Sequence, residues 1–576
     1  MHYYYKLLIL DAEFPATLTI LRSLSRQGIH CDIASAIEQP LCLSSRYGRR
    51  CIQYPDPLTD AHAFTHFIHQ LLHTEHYDLI IPVTERSLIP LSESPLFDDC
   101  REHLAIADHN SLAQVLDKAK TLNVARSCHI SVPFSHAISS FYDLDKVLGE
   151  ITYPVVLKPG QSIPNAEQRQ QLSVSYADNE TELIQLSKQL LPLCQLLIQE
   201  YVQGIGTGIE LLAEHGKIVY AFQHQRLHEL PLTGGGSCLR KSIPVAPELL
   251  LASEKLIAAL NWHGVAMVEF KWQPETGKYW LMEINGRFWG SLPLAVSAGA
   301  DFPKMLFDLW VLNKKPVNNE YKKDIYCRKL SADLYWLEQV LRRTDTSGLV
   351  QYPDKQEILK DWLMMFHPTR HFFDIQCWYD PMPGIIDVLN IVKTYSSRIY
   401  DILSHKIAVS YHGSRLVRHR LRTKLKSARS VLFLCYGNIN RSALAQAIAE
   451  QSFPHCKVTF YSAGFHSPDQ RPADPNMVKV AAADNIDLSN WKSRTLTADL
   501  IEKSDVILAM EIKHLERLKQ DFPESTHKSF LLGSLSKDTS NESVEISDPY
   551  NQPLPFYQHI FNRVKEAVTQ LSKMAD

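Results

Sequence analysis

The sequence has no apolar run long enough to cross a membrane. A transmembrane helix needs about 18 consecutive apolar residues, whereas the apolar stretch at residues 6–10 is followed at once by Asp11 and Glu13. This stretch is also too short for a secretory signal, and it predicts a first β-strand instead. We therefore expect a soluble protein in the cytoplasm.

Paired cysteines and a charge excess are also absent. The 11 cysteines include no Cys-x-x-Cys pair and are unevenly spaced, which is typical of reduced thiols rather than of a disulfide framework. The net charge is −3 and the isoelectric point about 6.8, so we expect no nucleic-acid partner. A length of 576 residues predicts three or four domains at about 150 residues each.

The first 105 residues alternate strands with helices but contain no Gly-x-Gly-x-x-Gly motif. Apolar strands at residues 6–10, 31–34 and 77–83 are separated by amphipathic helical segments. This order predicts a small parallel sheet with helices on both faces, without a dinucleotide site. The polar segment 44–47 is equally consistent with a ligand contact and with a loop surface.

A lysine and a glycine-rich turn mark the next region, residues 106–310. Lys158 ends the apolar strand 153–160, where a buried ammonium group costs free energy unless it meets an anion. Residues 197–208 form another strand that leads into a glycine-rich turn and contains Glu200 and Val202. Each feature alone is common, but their order along the chain is less so.

Residues 265–290 predict a β-hairpin that carries two carboxylates on one face. A turn at residues 274–277 places Glu269 nearly opposite Glu283. Since side chains alternate along a strand, Asn285 and Arg287 share the face of Glu283. Such a face suits Mg²⁺ bridging phosphate oxygens, and the alternative is a solvated hairpin surface.

Together these segments resemble the ATP-grasp superfamily over about residues 1–310. The resemblance implies a pre-ATP-grasp α/β domain, residues 1–105, and an α+β ATP-grasp domain, residues 106–310. It implies the following roles: Lys118 and Lys158 on the ATP phosphates, Glu200 and Val202 at the adenine, Arg287 near the transferred phosphoryl group, and Glu269, Glu283 and Asn285 on Mg²⁺ or Mn²⁺.

The same resemblance implies that a small carboxylate is activated as an acyl phosphate and passed to an amine or thiol. Residues 233–237, Thr-Gly-Gly-Gly-Ser, with Arg226 nearby, resemble the substrate-side loop of the family. A flexible surface turn is an equally good interpretation of this segment.

Residues 311–427 predict a helical extension and a basic linker. His367 and His371 have the spacing of metal ligands on a helix, but Pro368 argues against that helix, so we interpret both as structural. The basic stretch 415–429 favours a solvated linker helix over a docking site for anionic lipid or an acidic partner. Asp380, which precedes a proline, repeats part of the acid motif described below, and we interpret this as coincidence.

Residues 431–442, VLFLCYGNINRS, predict a phosphate-binding loop between a strand and a helix. Backbone N–H groups of such a loop point at an anion over the first helical turn, and Asn438 tolerates the left-handed conformation that the tight curl needs. Arg441 can grip two phosphate oxygens. Cys435, with its thiolate stabilised by the helix and by Ser442, would be the nucleophile.

From residue 428 to the C-terminus the chain resembles low-molecular-weight protein tyrosine phosphatases. Residues 462–464, Ser-Ala-Gly, and Asp548-Pro-Tyr550 match further motifs of that family. The resemblance implies a doubly wound parallel α/β domain, residues 428–576, with Asp548 as general acid and Tyr550 in the pocket wall. Its substrate would be a phosphotyrosine protein or a small phosphomonoester.

Three positions depart from the usual family pattern. Asn440 and Ala443 stand where a cysteine and a proline are common, and Trp491 stands where bacterial relatives usually have a histidine. The last departure raises the question of what supports Asn438. None of the three replaces Cys435, and we expect the chemistry to be retained.

We therefore predict an α/β protein that fuses an ATP-grasp ligase-like module to a phosphatase. One alternative makes the second half an arsenate reductase of the same fold, although Cys456 is the only other cysteine after the linker. Another makes the first half an ATP sensor that controls the phosphatase. A scaffold with two inactive sites conflicts with both sets of residues.

Overall fold

The computed structural model describes residues 5–160, 174–317, 320–345, 348–466, 468–536 and 544–575. The chain divides between residues 391 and 392 into two compact units. Within the described ranges, no helix has both the length and the apolar character that a bilayer span requires.

The first unit begins with a four-stranded parallel sheet in the order β3-β2-β1-β4. Its strands are β1 (Lys6–Ile9), β2 (His30–Ser35), β3 (Cys51–Gln53) and β4 (Leu79–Ile81). Its helices are α1 (Pro15–Arg26), α2 (Ala61–Glu75) and α3 (Glu85–Glu93). Strands β1 and β4 are fully buried over most of their length because helices cover both faces. The predicted parallel α/β arrangement is confirmed.

A small antiparallel sheet follows, in the order β5-β8-β6-β7. Its strands are β5 (Ser135–Ile138), β6 (Val155–Pro159), β7 (Ser175–Ala177) and β8 (Leu196–Glu200). The helices of this region are α4 (His109–Leu116), α5 (Lys118–Ser127), α6 (Phe141–Val147) and α7 (Glu180–Leu190). The strand that carries Lys158 is thus the second from the edge, and its apolar residues face a core formed with α6 and α7.

The largest sheet of the first unit has seven strands in the order β13-β12-β9-β10-β11-β14-β15. These are β9 (Ile205–Glu214), β10 (Lys217–Leu230), β11 (Gly236–Ile243), β12 (Gly264–Gln273), β13 (Lys278–Asn285), β14 (Tyr326–Arg328) and β15 (His371–Phe373). The helices are α8 (Pro247–Ala259), α9 (Leu292–Ser297), α10 (Phe302–Trp310), α11 (Leu330–Arg342) and α12 (Lys355–Met364). Helices α9 and α10 share one core with α1, which joins this sheet to the first.

The region expected to be a helical extension, residues 311–427, also contributes β14 and β15 to this sheet. The two strands pair in parallel, with Tyr326 opposite His371. Each has only three residues, too few to show a period-two pattern in the sequence. Helix α13 (Pro381–His412) follows and contains the boundary between the units.

The second unit is built on a four-stranded parallel sheet in the order β17-β16-β18-β19. The strands are β16 (Ser430–Cys435), β17 (Thr459–Gly464), β18 (Val506–Ala509) and β19 (Ser529–Leu531). The helices are α14 (Arg415–Ser427), α15 (Arg441–Ser452), α16 (Pro475–Ala482), α17 (Ala498–Glu502), α18 (Ile512–Asp521) and α19 (Leu554–Ala575). The central strand β16 is buried along its whole length. This is the doubly wound parallel domain that the sequence predicts.

Candidate active sites

The first candidate site lies on the β12–β13 hairpin. The strand register places Glu269 directly opposite Glu283, and Met267 opposite Asn285. The Asn285 amide nitrogen donates to Oε1 of Glu269 at 3.0 Å and to Oε1 of Glu283 at 3.3 Å. The predicted set of two carboxylates and one amide therefore exists as a hydrogen-bonded cluster.

Arg226 on β10 reaches this cluster across the intervening strand β9. Its Nη2 lies 2.5 Å from Oε2 of Glu269. Gly206 on β9 makes room for it, because a Cβ there would lie 3.0 Å from Cδ of Arg226 and 2.8 Å from Oε1 of Glu229. The sequence linked Arg226 to the glycine-rich loop, and its Nη1 does donate to the Gly235 carbonyl at 3.1 Å. Its contact with Glu269 was not predicted.

Buried charges shift the pKa values of the cluster in opposite directions. Burial, with the neighbouring Glu283, raises the pKa of Glu269. Burial also acts to raise the pKa of Glu283, but Lys118, Lys158 and Arg226 outweigh it and the pKa is lowered. Burial lowers the pKa of Lys158 to about 8, despite the opposing effect of Glu283. The cluster therefore holds one firmly ionised carboxylate and one lysine whose charge is easily lost.

The other predicted ATP-binding residues belong to the region of the small antiparallel sheet. Lys118 is the first residue of α5, and its backbone N–H donates to the Gly160 carbonyl at 3.1 Å. Glu200 ends β8, and its carboxylate accepts from the Phe134 backbone N–H at 2.9 Å. Val202 follows in a half-buried position. The Glu200 carboxylate is thus engaged with the backbone at the start of β5.

Arg287 contacts the first parallel sheet rather than the carboxylates of its own hairpin. Its Nε and Nη2 lie 3.3 Å and 3.1 Å from Oε1 of Glu85, at the N-terminus of α3. Its Nη1 donates to the Phe288 carbonyl at 2.9 Å. The loop after β4 therefore forms one wall of the site.

A cleft of about 410 Å³ continues from the carboxylate cluster between the loops of the first sheet and the seven-stranded sheet. Arg240, on β11, lines it and was not predicted as a site residue. It is buried, and its Nη2 lies 2.5 Å from Oδ1 of Asp374. No local pattern indicates this pair, because the two residues are 134 positions apart.

His371, which we interpreted as structural, and Asp380, whose motif we interpreted as a coincidence, both make contacts within the fold. His371 is buried and lies 3.3 Å from Nε of Arg328, and burial together with that guanidinium lowers its pKa to about 4. Asp380 is buried against Nε of Arg22 at 2.8 Å and Oγ of Ser45 at 2.7 Å. The segment 44–47 thus anchors Asp380.

The second candidate site lies between β16 and α15 in the second unit. Cys435 ends the strand, and Arg441 is the first residue of the helix. Asn438 has φ +51°, the predicted left-handed conformation. Its backbone N–H donates to the Cys435 sulfur at 3.2 Å, and the Ser442 hydroxyl lies 3.0 Å from the same sulfur. Both contacts would stabilise a thiolate.

A network of hydrogen bonds holds Asn438. Its side-chain nitrogen donates to the hydroxyls of Ser442 at 2.9 Å and Ser462 at 2.8 Å, and its side-chain oxygen accepts from the Arg494 N–H at 2.8 Å. The indole N–H of Trp491 donates to the Asn438 carbonyl at 2.9 Å. Trp491 therefore supplies a support for this loop despite its departure from the family pattern.

Arg441 is buried and held by two carboxylates. Its Nη1 lies 2.5 Å from Oε2 of Glu511 and 2.8 Å from the Ile546 carbonyl, while its Nη2 lies 2.7 Å from Oδ2 of Asp548. Burial acts to raise the pKa of Glu511, but Arg441 outweighs it and the pKa is lowered. Glu511 was not predicted, since it precedes α18 without a motif of its own.

Aromatic side chains stand at the entrance of the second site. Tyr436 is 48% exposed and Tyr550 is 54% exposed. Tyr436 stacks on His466 with a centroid separation of 5.5 Å. Exposed rings beside a phosphate loop are suited to stacking on an aromatic leaving group.

Comparison with known proteins finds similarities in both units. Residues 430–576 match the family model described as low molecular weight phosphotyrosine protein phosphatase. The protein-tyrosine-phosphatase Etp of Escherichia coli K12 is 33% identical over 144 residues, which cover 25% of this chain and 93% of Etp. The probable phosphatase EpsP of Ralstonia nicotianae is 33% identical over 140 residues, which cover 24% of this chain and 91% of EpsP. In this region the chain belongs to the low-molecular-weight protein tyrosine phosphatase family.

Residues 193–332 match a model described as ATP-grasp in the biosynthetic pathway with Ter operon. The crystal structure of N5-carboxyaminoimidazole synthetase from Staphylococcus aureus aligns with a TM-score of 0.47 and 15% identity, covering 64% of this chain and 98% of that one. The first unit thus contains a segment that is similar to ATP-grasp proteins, whereas residues 430–576 belong to the phosphatase family.

Proposed function

We propose that the second unit hydrolyses aryl phosphate monoesters, such as phosphotyrosine, through a cysteinyl phosphate. The observation that carries this proposal is the convergence of the Asn438 N–H and the Ser442 hydroxyl on the Cys435 sulfur, at 3.2 Å and 3.0 Å. Two donors on one sulfur favour the thiolate, which is the nucleophilic form. The names of Etp and EpsP support the same activity.

In the proposed first step, the Cys435 sulfur attacks phosphorus and the bond to the ester oxygen breaks. Asp548 donates a proton to that oxygen, so the alcohol leaves neutral. In the second step Asp548 accepts a proton from water, whose oxygen attacks phosphorus and releases the thiolate and inorganic phosphate. Arg441 binds the equatorial phosphoryl oxygens in both steps, with Glu511 fixing the guanidinium.

A substitution at the nucleophile tests this mechanism. We expect Cys435→Ser to lower p-nitrophenyl phosphate hydrolysis by more than about 10³-fold, since a hydroxyl at this position lacks thiolate reactivity. Cys456→Ser is the matched control and should retain the wild-type rate. Equal rates in Cys435→Ser and the wild type would show that the loop is not the catalytic site.

The alternative activity, arsenate reduction, would require Cys456 as well as Cys435. That activity relays oxidation through additional thiols, so it would be lost in Cys456→Ser as well as in Cys435→Ser. We expect no arsenate reduction by the wild-type protein in the presence of a thiol reductant. Arsenate turnover that depends on Cys456 would favour the alternative.

For the first unit we propose an ATP-dependent carboxylate–amine or carboxylate–thiol ligase. The observation that carries it is the buried cluster of Glu269, Glu283 and Asn285, with Lys158 close enough to affect the Glu283 carboxylate. Lys158 Nζ makes no hydrogen bond to any residue in the described ranges, so a phosphate would supply the missing acceptor. ATP-grasp proteins generally use ATP and Mg²⁺.

The residues present fit a hard divalent cation. Glu269, Glu283 and Asn285 offer oxygen ligands on one face of the hairpin, which is the donor set that Mg²⁺ or Mn²⁺ prefers. When bound, the cation would neutralise charge on the phosphate oxygens. Arg226, which is 2.5 Å from Glu269 in the structure, would shift toward the Glu229 carboxylate, 3.4 Å from its Nη1.

Lys118 and Lys158 would hold the ATP phosphates, and the strand end at Glu200 and Val202 would hold the adenine. Arg287 would lie near the transferred phosphoryl group. The cleft of about 410 Å³ that begins at the cluster has room for a small carboxylate substrate. In this reaction the substrate carboxylate displaces ADP from the γ-phosphorus, and the amine or thiol then displaces phosphate from the acyl carbon.

ADP release by the Cys435→Ser protein would test the ligase, because that variant cannot hydrolyse phosphorylated products. Pools of amino acids and small carboxylates are added with Mg²⁺ and ATP, each with and without an amine pool. We expect one pool to stimulate ADP release and Glu283→Ala to remove the response. Glu275→Ala, in the exposed turn of the same hairpin, is the control.

ATP binding without stimulation by any pool would instead favour the sensor hypothesis. In that case the phosphatase rate of the wild-type protein should change on addition of ATP. A rate that is independent of ATP, together with pool-dependent ADP release, would exclude the sensor.

A further inference from the structure

The second unit contains a groove that the proposed phosphatase reaction does not use. It has a volume of about 740 Å³ and lies between the end of α13, helix α14, helix α18 and the start of β19. Its apolar lining includes Val417, Ile512, Leu515, Leu518 and Phe530. Small-molecule sites in proteins typically have volumes of about 300–1,000 Å³ and mainly apolar walls.

The polar groups of the groove are predominantly cationic. Arg420, Lys424 and Lys519 line it, against the single carboxylate of Glu516. None of these four forms an ion pair with a residue in the described part of the chain. The groove therefore presents uncompensated positive charge beside an apolar surface, a combination that attracts an anionic molecule with an apolar body.

His412 adds an unused polar atom at the same place. It lines the groove, and its Nδ1 is buried without a hydrogen-bond partner among the described residues. A buried polar atom left without a partner costs free energy that a ligand could recover. Its backbone carbonyl accepts from the Ser534 hydroxyl at 3.0 Å, which holds the end of α13 in position.

The groove is connected to the phosphate loop through the start of α18. Ile512 lines the groove and follows Glu511, whose carboxylate is 2.5 Å from Nη1 of Arg441. The Ile512 N–H donates to Glu545 at 2.7 Å, and the next residue, Ile546, accepts from Arg441 at 2.8 Å. A displacement of α18 would therefore move Glu511 and, through Glu545, the Ile546 carbonyl, which are two of the three groups that hold the guanidinium.

We propose that this groove binds an anionic molecule with an apolar or aromatic body and that its occupancy changes the phosphatase rate through α18. The proposal that the groove binds such a molecule does not depend on the phosphatase reaction. The proposal that occupancy changes the rate rests on the proposed phosphatase activity. An absence of phosphatase activity in the wild-type protein would be measured separately from an absence of binding.

The test uses the full-length protein with 8-anilino-1-naphthalenesulfonate, an anionic aromatic probe, and N-phenyl-1-naphthylamine, its uncharged analogue. The groove variant is Lys424→Glu/Lys519→Glu. The matched control is Lys457→Glu/Lys479→Glu, which reverses two exposed lysines of the same unit outside the groove. Basal p-nitrophenyl phosphate hydrolysis within about twofold of wild type in both variants would show that both are folded.

We expect the sulfonate to bind at least about tenfold more weakly to the groove variant than to the control, which corresponds to about 1.4 kcal/mol. The uncharged analogue should show a much smaller difference. Saturating sulfonate should change kcat/KM in the wild type and control but not in the groove variant. A change that persists in the groove variant would place the sulfonate at the phosphate loop and overturn the proposal.

Two further outcomes would also overturn it. Equal sulfonate affinity in the groove and control variants, or no binding to the wild type, would show that the groove is not an anion site. Groove-dependent binding that leaves kcat/KM unchanged would refute the connection through α18.

Discussion

The phosphate loop and the β12–β13 hairpin manage buried charge in different ways. In the phosphate loop, a single guanidinium, Arg441, is held by two carboxylates and a carbonyl at 2.5–2.8 Å. On the hairpin, two carboxylates share Arg226 and the more distant charges of Lys118 and Lys158. Short contacts fix the charged groups of the phosphate loop. The charges of the hairpin site are only partly balanced by other residues.

The two sites would therefore bind phosphate differently. The phosphate loop is preorganised, because Asn438, Ser442 and Trp491 fix the groups around the sulfur before any substrate arrives. In the proposed ligase, ATP and a cation would supply the charges that balance the hairpin site. Substitutions that remove a fixed donor should therefore affect the first site most, and changes of charge should affect the second.

The largest effect is expected from Arg441→Lys. Lysine keeps the charge but cannot bind two phosphoryl oxygens at once or reach Glu511 and Asp548 together. We expect phosphatase kcat/KM to fall by roughly 10³-fold, the upper end for the loss of one transition-state donor. Arg517→Lys, at an exposed position of α18, is the control, and ADP release should be unchanged in both variants. A loss below tenfold would show that the short contacts of Arg441 matter less than its charge.

A smaller effect is expected from Asp548→Asn, because the amide cannot transfer a proton. We expect kcat to fall by about 10²-fold with phenyl phosphate, and by less with p-nitrophenyl phosphate, whose leaving group needs less protonation. Asp499→Asn, an exposed residue paired with Lys503, is the control. Equal losses on both substrates would argue against Asp548 as the general acid.

At the hairpin site, the pH dependence should reveal Lys158. Its pKa is lowered to about 8, so its positive charge is complete only well below pH 8 and is lost as the pH rises through that value. We expect kcat/KM for ATP-dependent ADP release to fall by up to about tenfold per pH unit above 8, as for loss of one required proton.

Lys158→Arg sharpens this comparison, since arginine stays charged at every accessible pH. This variant should lose the alkaline decline, even if its activity is lower. Lys188→Arg, on the exposed face of α7, should keep the decline. The same decline in both variants would assign the titration to another group.

The smallest effect is expected from Trp491→Phe, which removes the donor to the Asn438 carbonyl. This bond is partly buried, and a typical hydrogen bond contributes about 0.5–1.5 kcal/mol, so the thermal midpoint of the second unit should fall and phosphatase kcat/KM should drop by roughly threefold. Trp310→Phe removes an indole hydrogen bond of the same length, 2.9 Å, to the Glu102 carbonyl in the first unit. It should leave the phosphatase unchanged, and equal losses would show that preorganisation by Trp491 is not specific.

The sequence by itself determined the features that depend on neighbouring residues. The phosphate loop is one continuous segment, 431–442, so its strand, left-handed Asn438 and helix start could be predicted together. The hairpin could be predicted as well, because its turn brings Glu269 close to Glu283 and alternation fixes the face of Glu283, although the direct pairing of the two carboxylates also needs the register shift between Glu269 and Phe270. The family resemblance then supplied the roles that we propose for residues such as Lys118 and Asp548.

Only the tertiary structure decided which distant groups complete each site. Glu511 meets Arg441 across 70 positions, and Arg240 meets Asp374 across 134. Strands β14 and β15 join the largest sheet although each has three residues. Alternation and motif spacing specify the face on which a side chain lies, but not what lies opposite it. The partner is decided when sheets and helices pack, because a buried charge is retained only where the fold brings an opposite charge or a hydrogen-bonding group to it.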